Sequence, residues 1–438
     1  MATPLFFSLR EKVTPENVIE DVTVDDIRFP TSLEAHGSDA MHKDPDYSNA
    51  YVVIHVRGLQ HEGHGLTFTL GRGTEIVVAA IRSLLPLVIG QKLIAIYTDF
   101  AAFWRSLTSE TQLRWLGPEK GVVHLAVAAV INGLWDLWGK IEGKPVWKLL
   151  SDMTPEEIVS LVDFRYLSDA VTRDEALALL TKNVTSRPQR EAEIRARGYP
   201  CYITSVGWLG YSSDKIRRLC KEALGNGFRA FKMKVGQNVE DDITRAEIIR
   251  EQIGWDRPLM MDANQRWDVQ ESINYMTRLA RFKPLWIEGA DESGRRPRTC
   301  PNSAGSQASG HQAGGMDFCQ IDSCRVGGVN ENISILLMAA KLNVPVCPHA
   351  GGVGLCEYVQ HLSMFDYICV SATQDGRMIE YSEHLHDDFV DGVVISQGNY
   401  VAPLKPGYSS EMKAESRHKY RYPEGPVWQD LRARGLAK

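Results

Sequence analysis

The first 200 residues contain no cysteine, and all eight cysteines that follow are without a C-x-x-C pair. That excludes a disulfide frame and a zinc ribbon and points to reduced thiols in an intracellular protein. Basic charge is not in excess. A net charge of −6 offers no field for nucleic acid or anionic lipid, so neither is expected as a partner. No uninterrupted apolar run reaches the roughly 18 residues of a membrane span. The N-terminus MATPLFFSLREKVTPENVIEDV carries Glu11, Glu16, Glu20 and Asp21. Transit peptides are usually rich in arginine and poor in acids, so this is a weak targeting signal. No G-x-G-x-x-G opens a helix after the first strand, which removes the dinucleotide fingerprint. His61 and His64, in HEGH, lack the second histidine of H-E-x-x-H, which removes the zinc motif.

What is present fits a large barrel with a cap. The chain has 438 residues, 44% hydrophobic and 24% charged, the balance of a folded globular protein of more than one domain. Residues 1–21 read as a loose extension. From Val22 the pattern is α+β: VTVDDIRF, AYVVIHV and GLTFTL read as strands, and Val123, Ala126, Val130, Leu134 and Leu137 recur at helical spacing until Gly143 and Pro145 stop the helix. The tryptophans of GLWDLWGK read as core. Beyond residue 155, IVSLVDFRYL, FRAFKMKVG, PLMMDANQ, PLWIEG, FCQIDSC, VPVCPHAG and RMIEYSEH read as strands between helical stretches, the signature of βα units and a parallel sheet.

A polar residue ends most of these strands. Lys234 to Asp262 is 28 residues, Asp262 to Glu288 is 26, Asp322 to His349 is 27 and His349 to Glu380 is 31. A (β/α)₈ barrel of ~250 residues gives ~31 per unit. The interval from Glu288 to Asp322, 34 residues, is too short for the two units an eight-strand count requires. Residues 289–315 contain no Leu, Ile, Val, Phe, Met, Trp or Tyr and build neither a buried strand nor an amphipathic helix. A linker in place of about one βα unit is expected over 289–316.

The chemistry follows from where these groups sit. Lys232 and Lys234 flank Met233 on a strand and therefore share a face. Each is expected to lower the other's pKa, which makes a lysine a base near neutral pH. Asp262 and Glu288, ending successive strands, offer oxygen ligands of the kind Mg²⁺ takes. Asp322 beside His349 orients the ring and raises its basicity. Gly351, Gly352 and Gly354 in PHAGGVGLC leave room for backbone to approach a ligand. The polar loop HGSDAMHKDPDYS (36–48) reads equally as a lid or as a solvated turn.

The K-x-K strand, D-A-N, W-I-E, I-D-S-C-R and PHAGGVGLCE, in this order with TSLEAHGSDAMHKDPDYS and RWLGPEKGVVHLA, closely resemble the L-fuconate dehydratases of the enolase superfamily. The resemblance runs from about residue 22 to the C-terminus, except for 289–316. It implies an α/β fold: an N-terminal α+β capping domain (22–152), a modified (β/α)₇β TIM-like barrel (153–385), and a C-terminal segment (386–438) returning to the cap. It implies Mg²⁺ on Asp262, Glu288 and a glutamate of the next strand, and that strand is missing here. It implies Lys234 and the His349–Asp322 dyad as acid/base groups, Glu380 near the enediolate, and Lys232, Asn264, Ser38 and Asp39 against the substrate. The implied reaction is loss of water from the sugar acid L-fuconate, in the mitochondrion or the cytoplasm. A racemase or epimerase on the same scaffold, and a catalytically impaired variant with a regulatory role, are the other readings. A homo-oligomer is left open.

Overall fold

The computed structural model describes residues 6–116, 121–289 and 316–436. The expected linker, and the place where a third metal ligand would stand, lie outside the described residues from 290 to 315.

Three antiparallel strands, β1 (Ile19–Arg28), β2 (Ser48–Val56) and β3 (Gly63–Thr69), make the cap sheet in the order β1-β2-β3. Against it lie α2 (Thr74–Val88) and α3 (Val122–Glu142). A Cβ on Gly65 would stand 2.1 Å from the Ala129 carbonyl oxygen, so only glycine admits the α3 backbone this close to β3. By length and composition α3 could cross a bilayer, yet it is a core helix, with Trp135 and Trp138 both buried. The extension expected at 1–21 is docked from Phe6 onward: α1 (Phe7–Lys12) buries Leu9, and Phe6 packs edge-on against Trp138 at 5.1 Å.

The stretch IVSLVDFRYL is not a strand. Thr154 and Glu157 form a capping box with Pro155 at the first turn, and the helix Pro155–Ser160 results. Two further helices, Arg173–Lys182 and Arg187–Arg197, precede the first barrel strand, β4 (Tyr199–Gly207), which the sequence reading omits. Parallel pairing then follows the βα units. β4 pairs with β5 (Phe231–Lys234), β5 with β6 (Leu259–Asp262), and β6 with β7 (Ile287–Glu288). The helices α4 (Ser213–Gly225), α5 (Val239–Ile253) and α6 (Val269–Leu279) alternate with these strands.

After the interval come α7 (Val329–Lys341), α8 (Leu355–Phe365) and β8 (Ile379–Tyr381), which pairs with the other edge of β4. FCQIDSC and VPVCPHAG meet as parallel bridges, Cys319 with Val346 and Asp322 with His349, rather than as full strands. A short hairpin, β9 (Ile395–Ser396) with β10 (Asn399–Tyr400), caps the entry of β4.

The alternation of side chains fills the barrel. Tyr202, Ala230 and Met260, with Trp286 and Met378, form a cluster one layer below the polar ring. Trp286 reaches Phe318 at 4.8 Å between ring centroids, so aromatic packing joins the two segments that flank the short interval. The chain beyond the barrel returns to the cap. Trp428 Nε1 donates to the Arg28 carbonyl at 2.9 Å, and Tyr422 N donates to the Asp26 carbonyl at 2.8 Å.

Candidate active site

The C-terminal ends of the barrel strands deliver the polar residues to one mouth. On β5, Lys232 and Lys234 point the same way and are both buried. The Lys234 ammonium lies 2.5 Å from Asp262, and that of Lys232 lies 2.5 Å from Glu380, 2.9 Å from Glu288 and 3.7 Å from Asp262. Across the mouth, His349 Nδ1 contacts Asp322 Oδ2 at 2.9 Å and His349 Nε2 stands 3.9 Å from Glu380. Asp322 is steadied in turn by the amides of Cys324 and Arg325, at 2.8 and 3.1 Å. Seven expected residues, from four strands and two bridged segments, thus form one connected cluster.

The charges decide the protonation states, and one expectation fails. Burial acts to lower both lysines. For Lys232 it is outweighed by Glu288 and Glu380, and for Lys234 by Asp262, so each ends above its ordinary value. Mutual repulsion of the lysines does not win here, because carboxylates within 3 Å outweigh a second ammonium. Burial works against the charge of Asp262, and Lys234 and Lys232 overcome it, holding the acid at about 2. Glu380 is held at about 2 against burial by Lys232 and His349, and Asp322 at about 2 by His349. His349 is raised: burial lowers it, and Asp322 and Glu380 more than compensate.

Asp262 and Glu288 face each other in the β6–β7 register. Burial, followed by the neighbouring charge of Asp262, pushes Glu288 up. Two hard-oxygen carboxylates repelling one another in a dry site fit a divalent cation as two of its ligands. No third acid, cysteine or histidine completes a metal-holding group with them among the described residues.

The other expected contacts divide. Asn264 has a left-handed backbone and a buried side-chain oxygen without a partner, beside Asp262, whose Oδ1 accepts its amide at 2.9 Å. The hydroxyl of Ser38 is taken by the Lys43 carbonyl at 2.5 Å, and Asp39 accepts the amides of Met41 and His42, so both are committed to their own loop. That loop is nonetheless docked at the mouth: Leu209, just past β4, donates its amide to the Ser38 carbonyl, and the charge of Asp39 reaches Lys234. Of the three glycines, only Gly351 faces the cluster, where a Cβ would lie 3.2 Å from His349 Nε2. Gly352 and Gly354 face Phe68 and Leu66 of the cap, so their smallness serves domain packing and not ligand approach.

Two groups escaped the sequence reading. Arg245 on α5 donates to the Lys234 carbonyl at 2.7 Å and to the Gly207 carbonyl at 2.5 Å, tying together the ends of β4 and β5. Asp242 and Arg245 share one helical turn, an i,i+3 pair that the sequence displayed. The second is a ring cluster over the mouth. His384 lies 5.1 Å from Trp208, 5.2 Å from Tyr47 and 5.5 Å from His36, and nothing in the sequence connects these four.

Comparison with known proteins agrees with this architecture. A family model described as mandelate racemase / muconate lactonizing enzyme, N-terminal domain, matches residues 40–151. One described as enolase C-terminal domain-like matches 215–290 and 306–416. The chain belongs to the enolase superfamily. The second match breaks between 290 and 306, inside the stretch without large apolar residues. Mitochondrial enolase superfamily member 1 of Pongo abelii is 53% identical, over 94% of this chain and 97% of the relative. L-galactonate dehydratase of Hypocrea jecorina is 46% identical, over 92% and 94%. The crystal structure of the human mitochondrial enolase superfamily member 1 superimposes with a TM-score of 0.92 at 51% identity, covering 95% of this chain and 98% of that one. These relatives place the chain beside sugar-acid dehydratases within the superfamily.

Proposed function

We propose that this scaffold is built for Mg²⁺-dependent dehydration of a sugar acid, L-fuconate, to 2-keto-3-deoxy-L-fuconate and water. The observation that carries the reading is the pairing, at one mouth, of facing carboxylates with a lysine on one side and a His–Asp dyad on the other. A proton alpha to a carboxylate is weakly acidic, and its removal loads charge onto the carboxyl oxygens. Asp262 and Glu288 would hold Mg²⁺, which when bound would supply positive charge there. Lys232, which carries a fixed ammonium, adds to it, and Asn264 offers its free oxygen to a substrate hydroxyl. Lys234 and His349 are the acid/base pair: one takes the C2 proton, and the other protonates the departing C3 hydroxyl, which leaves as water. The resulting enol gains a proton at C3 to become the 2-keto acid. Asp322 orients His349, and Glu380 holds Lys232 and the Ala350 amide in place.

With two such carboxylates among the described residues where the family uses three, this chain is expected to perform the reaction poorly. A mitochondrial location follows the names of the relatives. The test is product analysis by NMR after incubation of L-fuconate with the protein and Mg²⁺ in D₂O. A 2-keto-3-deoxy acid supports dehydration. A C2 epimer without loss of water would instead establish the racemase reading, and no C2 exchange in any metal-loaded form would refute both.

A further inference from the structure

Behind the His349–Asp322 dyad lies a small closed cavity. Side chains alternate along the two bridged segments, so Asp322 and His349 face the mouth while their neighbours Ser323 and Pro348 face outward, toward α7 and α8. There Ser323 and Pro348, with Asn332 of α7 and Asp366 just past α8, wall a space that leaves about 10 Å³ for the centre of a water molecule. That is about the room one water needs. Every residue around the cavity is buried.

Three oxygens of this wall have no hydrogen-bond partner among the described residues: Ser323 Oγ, Asn332 Oδ1 and Asp366 Oδ1. Their residues are 1%, 1% and 2% exposed. The Asn332 amide is fixed in this sense, because its Nδ2 donates to the Gly328 carbonyl at 2.8 Å. Asp366 engages Arg377 Nε through its other oxygen, at 3.3 Å. It also opens a π-helical turn, Asp366–Val370, a form found mostly at functional sites. Buried polar groups are nearly always satisfied, by protein or by ordered water.

The donor count fixes the ligand. The oxygens of Asp366 and Asn332 can only accept, whereas the Ser323 hydroxyl can donate. One water, giving a hydrogen to each of the first two and accepting from the third, satisfies all three. A cation would answer the two acceptors, but Arg377 already meets the charge of Asp366 and leaves the cavity without a net charge to hold one.

We infer that this cavity is the binding site of one buried water, which ties the segment bearing Asp322 to α7 and α8. The tie has a purpose, since that segment is joined to its neighbour by isolated bridges and not by a full ladder. The inference stands apart from the proposed chemistry, because none of the three oxygens faces the mouth.

The test is a crystal structure of the full chain at a resolution that shows ordered water, with a second crystal soaked in rubidium chloride. The expected result is a peak about 2.7–3.2 Å from all three oxygens, with no anomalous scattering there in the rubidium crystal. A dry cavity, a wall closed oxygen to oxygen, or a rubidium peak would each overturn the inference. In solution, Ser323→Ala and Asn332→Leu are each expected to lower the urea midpoint. The double variant should fall short of the sum of the two losses, because either change alone already releases the water. Strictly additive losses would overturn the inference as well.

Discussion

At the scale of single residues, small differences in reach decide what each group can do. Lys232 and Lys234 differ by two positions on β5, yet the first is enclosed by three carboxylates and the second is bonded to one. On the proposed reading Lys234, with a single partner to give up, is the lysine that exchanges a proton. In a version of the chain made active, Lys234→Ala is expected to lower turnover by at least ~10²-fold, the loss typical of a general acid/base. Lys232→Ala should chiefly alter the pH dependence. Steady-state kinetics of both variants decide this, and near-normal turnover in Lys234→Ala would contradict it. Gly352 makes a second case. A Cβ there would stand 2.6 Å from the Phe68 ring, so Gly352→Ala should cost about 1–3 kcal/mol by overpacking the cap–barrel contact. Urea denaturation measures that cost. The sequence displayed these glycines, but it could not say that the space they leave is filled by another domain.

At the scale of elements, legibility followed the strength of the local signal. The K-x-K, D-A-N and W-I-E strands announced themselves, since an apolar run ending in one charged residue has few other uses. β4 did not, because Thr204 and Ser205 interrupt its apolar run and Pro200 stands near its start. IVSLVDFRYL was misread because its β-branched residues suggested a strand, while the capping box just before it, Thr154 with Glu157, starts a helix. Local hydrogen bonds outranked composition there. Arg245 is the element-scale group on which the site most depends. It bridges β4 and β5 and pairs with Asp242, whose carboxyl burial pushes up to about 6. Arg245→Met should cost about 3–5 kcal/mol, because it leaves a buried acid and two strand-end carbonyls unanswered. A chemical denaturation midpoint indistinguishable from the parent would show that the strand ends hold without it.

At the scale of the whole molecule, the cap, barrel and C-terminal return meet at His361. Its Nδ1 accepts the Trp147 amide at 3.2 Å, and its Nε2 contacts the Ser409 hydroxyl at 3.0 Å. Burial holds its pKa down to about 3, against about 6.5 in an unfolded chain. Between those values the unfolded state binds the extra proton, so this position loses stability as pH falls from about 6.5 toward 3. Relative to His361→Gln, the parent should lose up to ~1.4 kcal/mol for each pH unit below 6. Parallel pH profiles of the two would contradict that. The proportions of the molecule were legible in the spacing of Lys234, Asp262, Glu288, Asp322, His349 and Glu380. The ring cluster of His36, Tyr47, Trp208 and His384 was not, since it forms only when cap and barrel have folded together.

The central proposal is that this is a dehydratase mouth which, among the described residues, has one metal-holding carboxylate fewer than the family uses. It is tested most directly by the rate at which the C2 proton of L-fuconate exchanges with D₂O under saturating Mg²⁺. Two proteins would be compared: the chain as it stands, and the same chain with residues 289–316 replaced by the corresponding segment of the human relative. The replaced version is expected to exchange and dehydrate. The chain as it stands should be at least ~10²-fold slower, the scale of loss for a displaced reacting group. Equal rates in the two would contradict the claim and place the third ligand elsewhere in this chain.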